Sequence, residues 1–199
     1  MKAVGALLVA TVRLLVGAHA RWAGRRPDGQ AIYFANHTSH IDTVAIWSAL
    51  DPHARRTTRP VAARDYWSRG PVRRYLACNV LNAVLIERHA DGHEGDPLEP
   101  LVQALEAGQS LILFPEGTRG AEPLPGPFKS GIYRLAQRFP AVQLVPVYLE
   151  NLNRAMPKGT WLPVPLTCSV RFGAPLPRQA EETKEAFVER ARAAVVALA

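Results

Sequence analysis

The chain has 199 residues, which fits one domain with short appendages because a domain typically holds about 100–200 residues. Hydrophobic residues make up 48% and charged residues 21%, which argues against a disordered, collagen-like or polytopic membrane protein. The net charge is +7, and 20 of the 24 cationic residues are arginine, whose guanidinium suits phosphate, so an anionic partner is expected. Cys78 and Cys168 are too few for a disulfide scaffold, and we expect both thiols to be buried and inert.

The N-terminal segment, residues 1–25, is expected to associate with a membrane surface without crossing it. Ala3–Val12 are apolar, Arg13 interrupts the run, and Leu14–Ala20 contain a single histidine. No run reaches the ~20 apolar residues that a spanning helix needs. We therefore expect an interfacial helix whose cations lie near anionic lipid, namely Arg13, Arg21, Arg25 and Arg26. The alternatives are a secretory signal cleaved after Ala20 and a helix packed on the domain's own core.

From residue 26 onward, short apolar runs alternate with helix-like stretches, a pattern typical of an α/β domain. The expected strands are Ala31–Ala35, Val61–Arg64, Ala83–Ile86, Ser110–Phe114, Leu144–Leu149 and Thr167–Phe172. The expected helices are Asp42–Leu50, Val72–Leu81, Pro97–Ala107, Ser130–Arg138 and Glu181–Leu198. We predict that residues 26–199 form a single α/β domain with a mostly parallel central sheet flanked by helices. An N-terminal apolar or interfacial helix precedes this domain.

The loop after the first expected strand contains a candidate general base. His37 and Asp42 are five positions apart, about 140° around a continuous helix, so they meet only if a turn lies between them. If Ser39 caps the following helix, the Asp42 carboxylate can fold back and orient the imidazole, leaving its other nitrogen free to remove a proton. The same residues also fit a helix-capping box, or a metal site that adds His40 but lacks further ligands. No G-x-S-x-G elbow is present, so direct attack by a substrate hydroxyl fits better than a covalent acyl-enzyme.

The loop after the fourth expected strand is the second concentration of polar side chains. Gly117 allows the backbone to approach a ligand closely, Thr118 offers a hydroxyl, and Arg119 can grip a phosphate through two parallel hydrogen bonds. Arg88, after the third expected strand, is a candidate partner of Arg119 in a two-arginine phosphate site. The alternatives are a tight turn in which Glu116 pairs with Arg119, and a solvated Arg88. The motif of a nucleotide-binding P-loop is absent.

Taken together, these blocks resemble those of the glycerolipid acyltransferases. Asn36–Asp42 match the H-x4-D block of that family, and Phe114–Arg119 match its F-P-E-G-T-R block. Ile86-Glu87-Arg88 is similar to the block whose arginine contacts the acceptor phosphate, and Val145-Pro146-Val147 to a proline-centred block near the acyl site. The blocks stand in the family's order across residues 31–150, and the likeness is greatest to 1-acylglycerol-3-phosphate acyltransferases.

The resemblance implies a general-base mechanism. His37, oriented by Asp42, would take the proton of a glycerol hydroxyl that attacks an acyl thioester and expels a thiol. The residues implied in substrate binding are Arg88, Glu116, Gly117, Thr118, Arg119 and Pro146. No metal and no bound cofactor is implied. The thioester of coenzyme A or of an acyl carrier protein is a substrate.

We therefore expect an O-acyltransferase that makes phosphatidic acid from 1-acylglycerol 3-phosphate in phospholipid biosynthesis. The expected location is the cytoplasmic face of the cell membrane, with peripheral or monotopic attachment to anionic lipid. An acyltransferase for another glycerol-phosphate or lysolipid acceptor is the first alternative. A non-catalytic protein that binds anionic lipid or nucleic acid is the remote one, and no nucleic-acid-binding signature supports a nucleic-acid partner.

Overall fold

Seven strands form one sheet in the computed structural model, which describes residues 2–16, 19–87, 96–152 and 168–199. In chain order the strands are β1 (His19–Trp22), β2 (Ala31–Ala35), β3 (Thr58–Ala63), β4 (Val84–Ile86), β5 (Ser110–Leu113), β6 (Gln143–Glu150) and β7 (Ser169–Phe172). Their order across the sheet is β1-β7-β6-β2-β5-β3-β4. Every pair is parallel except β6 and β7, which are antiparallel.

Helices cover both faces of this sheet. In chain order they are α1 (Lys2–Val16), α2 (Asp42–Ala49), α3 (Pro52–Thr57), α4 (Arg64–Trp67), α5 (Pro71–Tyr75) with the π-helical turn Leu76–Val80, α6 (Glu99–Glu106), α7 (Gly131–Arg138) and α8 (Lys184–Val196). Apolar side chains of α1 and α2 pack on one face of the sheet, and those of α6, α7 and α8 pack on the other.

Strand β2 shows why the sheet is covered on both sides. All five of its residues are buried, and successive side chains of a strand point to opposite faces. Ala31, Tyr33 and Ala35 belong to the apolar cluster on the α1–α2 face, whereas Ile32 and Phe34 belong to the cluster under α6, α7 and α8. Such an unbroken apolar strand is typical of a parallel sheet with two covered faces. The predicted α/β fold with a mostly parallel sheet is confirmed.

The N-terminal segment divides into a helix and a strand. Helix α1 ends at Val16, and His19–Trp22 form the edge strand β1, which pairs in parallel with β7. Four residues of the segment predicted as a membrane-associating helix, 1–25, therefore belong to the sheet. Val9 and Val12 of α1 are buried in the core, while Leu7 is 68% exposed. One face of α1 thus packs on the core of the domain, which was one of the alternatives for this segment. The opposite face is exposed to solvent.

Arg13 is exposed but is also tied to the domain. Its Nη2 donates to the backbone oxygen of Ser48 in α2 at 3.0 Å, which ties the last turns of α1 to the domain. Among the described residues, no helix is both long enough and apolar enough to span a bilayer.

Two further expectations need correction. The expected helix Val72–Leu81 is divided into α5 and a π-helical turn, and helices α3 and α4 were not predicted. Cys78, expected to be buried, is exposed because it lies on the outer side of that π-helical turn. Cys168 is buried, and burial raises the pKa of its thiol to about 11, so this thiol stays protonated at neutral pH.

Candidate active site

His37 and Asp42 meet in the loop between β2 and α2. Nδ1 of His37 lies 2.8 Å from Oδ2 of Asp42, a carboxylate that is fully buried. Because an ionised carboxylate only accepts hydrogen bonds, Nδ1 donates and the lone pair is left on Nε2. This is the arrangement that the sequence predicted for a general base.

The same oxygen of Asp42 also fixes the backbone of the loop. Oδ2 accepts from the N–H groups of Thr38, at 2.7 Å, and Ser39, at 2.8 Å. Asp42 is the first residue of α2, where the helix dipole favours a negative charge, and Ile41 occupies the N-cap position without a side-chain cap. The sequence had suggested Ser39 as the N-cap residue of α2. In the structure that residue is Ile41. The Asp42 carboxylate thus orients His37 and also fixes the backbone of the loop that precedes the helix.

The loop after β5 holds His37 from the other side. The imidazole of His37 stacks on Phe114 with ring centroids 4.1 Å apart. Its backbone N–H donates to Oε1 of Glu116 at 2.8 Å, and its carbonyl oxygen accepts from the N–H of Gly120 at 2.8 Å. Because β2 and β5 are neighbours in the sheet, the two loops that the sequence singled out lie side by side.

Glu116 connects backbone segments in this site. Besides the N–H of His37, its carboxylate accepts from the N–H of Gly126 at 3.0 Å. The alternative in which Glu116 pairs with Arg119 does not occur, because Arg119 contacts His40 instead. Glu116 therefore shapes the site by holding the first loop and the segment around Gly126 together.

Gly117 is required at its position for two reasons. Its φ of +73° lies in the left-handed region that side chains rarely adopt. A Cβ atom there would also lie 2.8 Å from both Nζ and Cε of Lys129. Because Gly117 has no side chain, the Lys129 ammonium can lie close to the backbone of this loop.

A cleft of about 530 Å³ opens beside His37, at the carboxyl ends of β3, β4 and β5. Its polar wall includes His37, Gly117, Thr118 and Lys129. Its apolar wall includes Val61, Trp67, Ile86, Leu98, Leu113 and Ile132. Ligands of open α/β sheets usually bind at this edge, and the cleft has the volume of a small-molecule site.

The other predicted site residues lie in different places. Arg119 is exposed outside the cleft lining, with its guanidinium at His40. Pro146 is buried in β6, opposite Phe34 of β2, and does not line the cleft. Arg88 lies outside the described residues. The structure thus brings together the two polar loops and leaves Pro146 away from them.

Sequence analysis missed two residues of the site. Lys129 lines the cleft, and a lone lysine just beyond a Pro- and Gly-rich loop, in a chain rich in arginine, was the available signal. Asn36 is fully buried, and its side-chain amide joins the first loop to β6, donating to the carbonyl oxygen of Leu149 at 3.2 Å and accepting from its N–H at 2.8 Å. Its partner is 113 residues away, so no local pattern reveals this contact.

His40 lies on the outer side of the site. Burial, together with the positive charges of Arg119 and Arg73, lowers the pKa of its imidazole. Its ring contacts Tyr66 and Arg119. In the described ranges, no cluster of three histidine, cysteine, aspartate or glutamate side chains is arranged to hold a metal ion.

Comparisons with known proteins indicate one family. A family model described as Acyltransferase matches residues 20–150. The chain is 27% identical over 135 residues to the chloroplastic 1-acyl-sn-glycerol-3-phosphate acyltransferase BAT2 of Brassica napus, covering 67% of this chain and 36% of that protein. It is 25% identical over 177 residues to the 1-acyl-sn-glycerol-3-phosphate acyltransferase alpha of Ovis aries, covering 87% of this chain and 59% of that protein. The chain thus spans about a third to three fifths of the length of these relatives.

A solved structure has the same fold. The crystal structure of the 1-acyl-sn-glycerophosphate acyltransferase PlsC from Thermotoga maritima superposes with a TM-score of 0.74. The alignment covers 99% of this chain and 79% of that one, at 20% sequence identity.

Proposed function

Since this chain belongs to the acyltransferase family, we propose that it transfers an acyl chain from a thioester to the free hydroxyl of 1-acylglycerol 3-phosphate. The product is phosphatidic acid, a precursor in phospholipid biosynthesis. The observation that carries the proposal is the hydrogen bond from His37 Nδ1 to buried Asp42, beside a cleft with one polar and one apolar wall. The acceptor is chosen because the relatives described above are named for it.

The proposed mechanism starts at Nε2 of His37. Asp42 accepts a hydrogen bond from Nδ1–H and stabilises the positive charge that forms when Nε2 takes the proton of the acceptor hydroxyl. The hydroxyl oxygen attacks the carbonyl carbon of the thioester, the carbon–sulfur bond breaks, and the departing thiolate takes the proton back from the imidazolium. No acyl-enzyme forms. General-base catalysis of this kind contributes about 10²–10⁴-fold to the rate.

The phosphate of the acceptor needs cations, and the site offers several. Lys129 lines the cleft, and Arg119 follows the cleft residue Thr118. Arg88 keeps its proposed role as a further phosphate ligand. We assign the glycerol part of the acceptor to the polar wall at Gly117 and Thr118, a wall that Glu116 holds in place through its two backbone partners.

The acyl chains are assigned to the apolar wall of the cleft. Val61 and Ile86 contribute from the carboxyl ends of β3 and β4, and Leu98 and Ile132 lie near α6 and α7. The donor is a thioester of coenzyme A or of an acyl carrier protein, and no resident metal or cofactor takes part in the scheme.

We further propose that the protein attaches peripherally to anionic lipid at the cytoplasmic face of the cell membrane. Val72 and Tyr75 of α5 are 70% and 43% exposed, and Leu7 of α1 is also exposed. Three arginines lie within three residues of Val72 in the chain, namely Arg69, Arg73 and Arg74. Each cation near an anionic bilayer adds about 1 kcal/mol of attraction. Exposed apolar side chains with arginines next to them in the chain favour a lipid surface over nucleic acid as the partner.

The test is thiol release from an acyl-coenzyme A on addition of 1-acylglycerol 3-phosphate, with the product identified by mass spectrometry. We expect acceptor-dependent release in the wild type and none in His37→Ala. His53→Ala is the matched control, since His53 is an exposed histidine of α3, and its activity should equal that of the wild type. If coenzyme A thioesters give no release, acyl-carrier-protein thioesters and other lysolipids are tested. Silence with all of them would refute the proposed function.

A further inference from the structure

Three side chains from different segments meet at the outer lip of the cleft. His40 comes from the loop after β2, Tyr66 from α4 and Arg119 from the loop after β5. The Tyr66 hydroxyl lies 2.8 Å from Nδ1 of His40, and Nη1 of Arg119 is at hydrogen-bond distance from the His40 ring. The rings of His40 and Tyr66 stack with centroids 5.5 Å apart. Thr118 and Trp67, the chain neighbours of Arg119 and Tyr66, line the cleft, so the cluster borders its mouth.

The contact with Arg119 requires His40 to be neutral. A guanidinium only donates hydrogen bonds, so one ring nitrogen of His40 must carry a lone pair. Nη1 of Arg119 is equally close to Nδ1 and Nε2, and the Tyr66 hydroxyl lies at Nδ1. In the tautomer whose Nδ1–H donates to the Tyr66 oxygen, the lone pair of Nε2 is left for Arg119. Burial favours this neutral form first, and the charges around His40 add to it, because Arg119, Arg73 and His37 oppose a positive charge there and only Asp42 favours one.

A neutral partner leaves the charge of Arg119 available. Within the described ranges, no carboxylate pairs with Arg119 or with Arg73, which lies over the other side of the cluster at 4.7 Å from the Tyr66 ring centre. A carboxylate in place of His40 would orient the guanidinium equally well but would cancel its charge. An imidazole orients it and leaves a full positive charge for an anion.

We propose that His40 and Tyr66 are positioning residues that hold Arg119 at the mouth of the cleft as a fully charged ligand for the phosphate of the acceptor. This inference rests on the proposed function. His40 accepts from the guanidinium, and Tyr66 fixes the orientation of the His40 ring through its hydroxyl and its stacked face. Neither residue takes part in the proton transfer at His37.

The kinetic test is a double-mutant cycle on the acceptor KM. Loss of a hydrogen bond to a charged group costs roughly tenfold in binding, so we expect His40→Leu and Arg119→Ala each to raise the acceptor KM about tenfold and to change kcat less. The double variant should have the KM of Arg119→Ala alone, because His40 acts only through Arg119. His40→Gln, which keeps a neutral acceptor, should restore most of the affinity. Additive effects in the double variant, or an unchanged KM in His40→Leu, would overturn the proposal.

One control separates positioning from general damage. His53→Leu removes an exposed histidine of α3 and should leave the acceptor KM unchanged. Tyr66→Phe removes only the hydroxyl that contacts His40 and should raise the KM by a smaller factor than His40→Leu.

A titration of the histidine rings by NMR tests the contact without any activity. The His40 signal is assigned as the one lost in His40→Gln. We expect its pKa to lie below the ordinary value of about 6.5 in the wild type and to rise in Arg119→Ala. An identical His40 pKa in both proteins would overturn the contact itself. If the wild type shows no acyl transfer while this pKa responds to Arg119→Ala, the proposed function has failed and the contact stands.

Discussion

At the scale of single residues, one oxygen atom organises the candidate base. Oδ2 of Asp42 accepts from the imidazole of His37 and from two backbone N–H groups of the same loop. The hydrogen bonds to the backbone fix where the carboxylate lies, and the carboxylate fixes which nitrogen of His37 carries the proton. Orientation of the base therefore begins within its own loop, and the distant residues Phe114 and Glu116 hold His37 from the other side.

This arrangement predicts the effect of Asp42→Asn. The amide can keep an oxygen on the backbone N–H groups, but it carries no charge to stabilise the imidazolium and can favour the wrong tautomer of His37. We expect kcat to fall by about 10²–10⁴-fold, with a circular dichroism spectrum like that of the wild type. Turnover within twofold of the wild type would show that Asp42 serves only the backbone.

Substitutions at Gly117 and Gly108 distinguish the effect of backbone strain from the effect of a close contact with Lys129. Gly117 and Gly108 have nearly the same φ, +73° and +75°, but a Cβ would meet Lys129 only at Gly117, since nothing lies within 4 Å at Gly108. Gly108→Ala should lose about 1 kcal/mol of unfolding free energy and keep the acceptor KM. Gly117→Ala should lose a similar amount, because the flexible end of Lys129 can move aside at little cost, but it should raise the KM, because that movement displaces the ammonium. An unchanged acceptor KM in Gly117→Ala would contradict this assignment of Lys129.

The residue scale also shows what a sequence can reveal about a site. His37 and Asp42 were predictable because a five-residue spacing restricts their geometry to one kind of turn. The contact of Arg119 with His40 was not, because 79 residues separate them and the sequence offered Glu116 as a nearer partner. The same holds for the amide of Asn36 on β6.

At the scale of secondary structure, buried elements were predictable and peripheral ones were not. The apolar runs of β2, β5 and β6 match the structure closely because burial on both faces demands unbroken apolar residues. Strand β1 carries no such signal, since three of its four residues are exposed. The short helices α3 and α4 have no buried residue, and so no apolar face to recognise. Their positions follow from the strands they connect.

The antiparallel pair β6–β7 predicts an acid-sensitive contact. The carboxylate of Glu150 in β6 accepts hydrogen bonds from Ser169 and Arg171 in β7, which lower its pKa. A carboxyl with a lowered folded pKa adds stability above its unfolded value of about 4.3, and this stability is lost as the pH falls through the folded pKa.

We expect Glu150→Gln to lower the unfolding free energy at pH 7 by about 0.5–1 kcal/mol, since Glu150 is partly exposed to solvent. The difference from the wild type should shrink toward pH 3. Urea unfolding between pH 3 and pH 7 measures it, and Glu106→Gln, which removes an exposed ion pair with Arg138, is the control. A difference that does not change with pH would show that the ionised form of Glu150 contributes nothing.

At the scale of the whole molecule, the charge of +7 and the exposed apolar side chains favour a lipid surface. Val72→Asp places a negative charge where we propose that the Val72 side chain enters the lipid. The variant loses one apolar contact with lipid and is repelled by the anionic headgroups, so binding to anionic vesicles should fall by tenfold or more. Leu124→Asp is the matched control, because Leu124 is 44% exposed in the loop after β5. Vesicle sedimentation at low and high salt measures the binding.

The activities of Val72→Asp and Leu124→Asp should differ only when the acceptor is presented in a lipid vesicle. Val72→Asp should act normally on a short-chain acceptor that is soluble as a monomer, and poorly on the same headgroup presented in vesicles. Equal loss on both substrates would place Val72 in the fold or the site rather than at the lipid surface.

The short path along the chain between His37 and Asp42 has a consequence for how the molecule assembles. Five residues separate the two side chains, whereas 79 separate His37 from Glu116. The entropy cost of closing a loop grows with its length, and loops of about ten residues close within roughly 10–100 ns. Pairing of distant parallel strands is far slower. The contact between His37 and Asp42 therefore needs only local chain closure, whereas the cleft and the contacts of His37 with Phe114 and Glu116 need distant strands to pair.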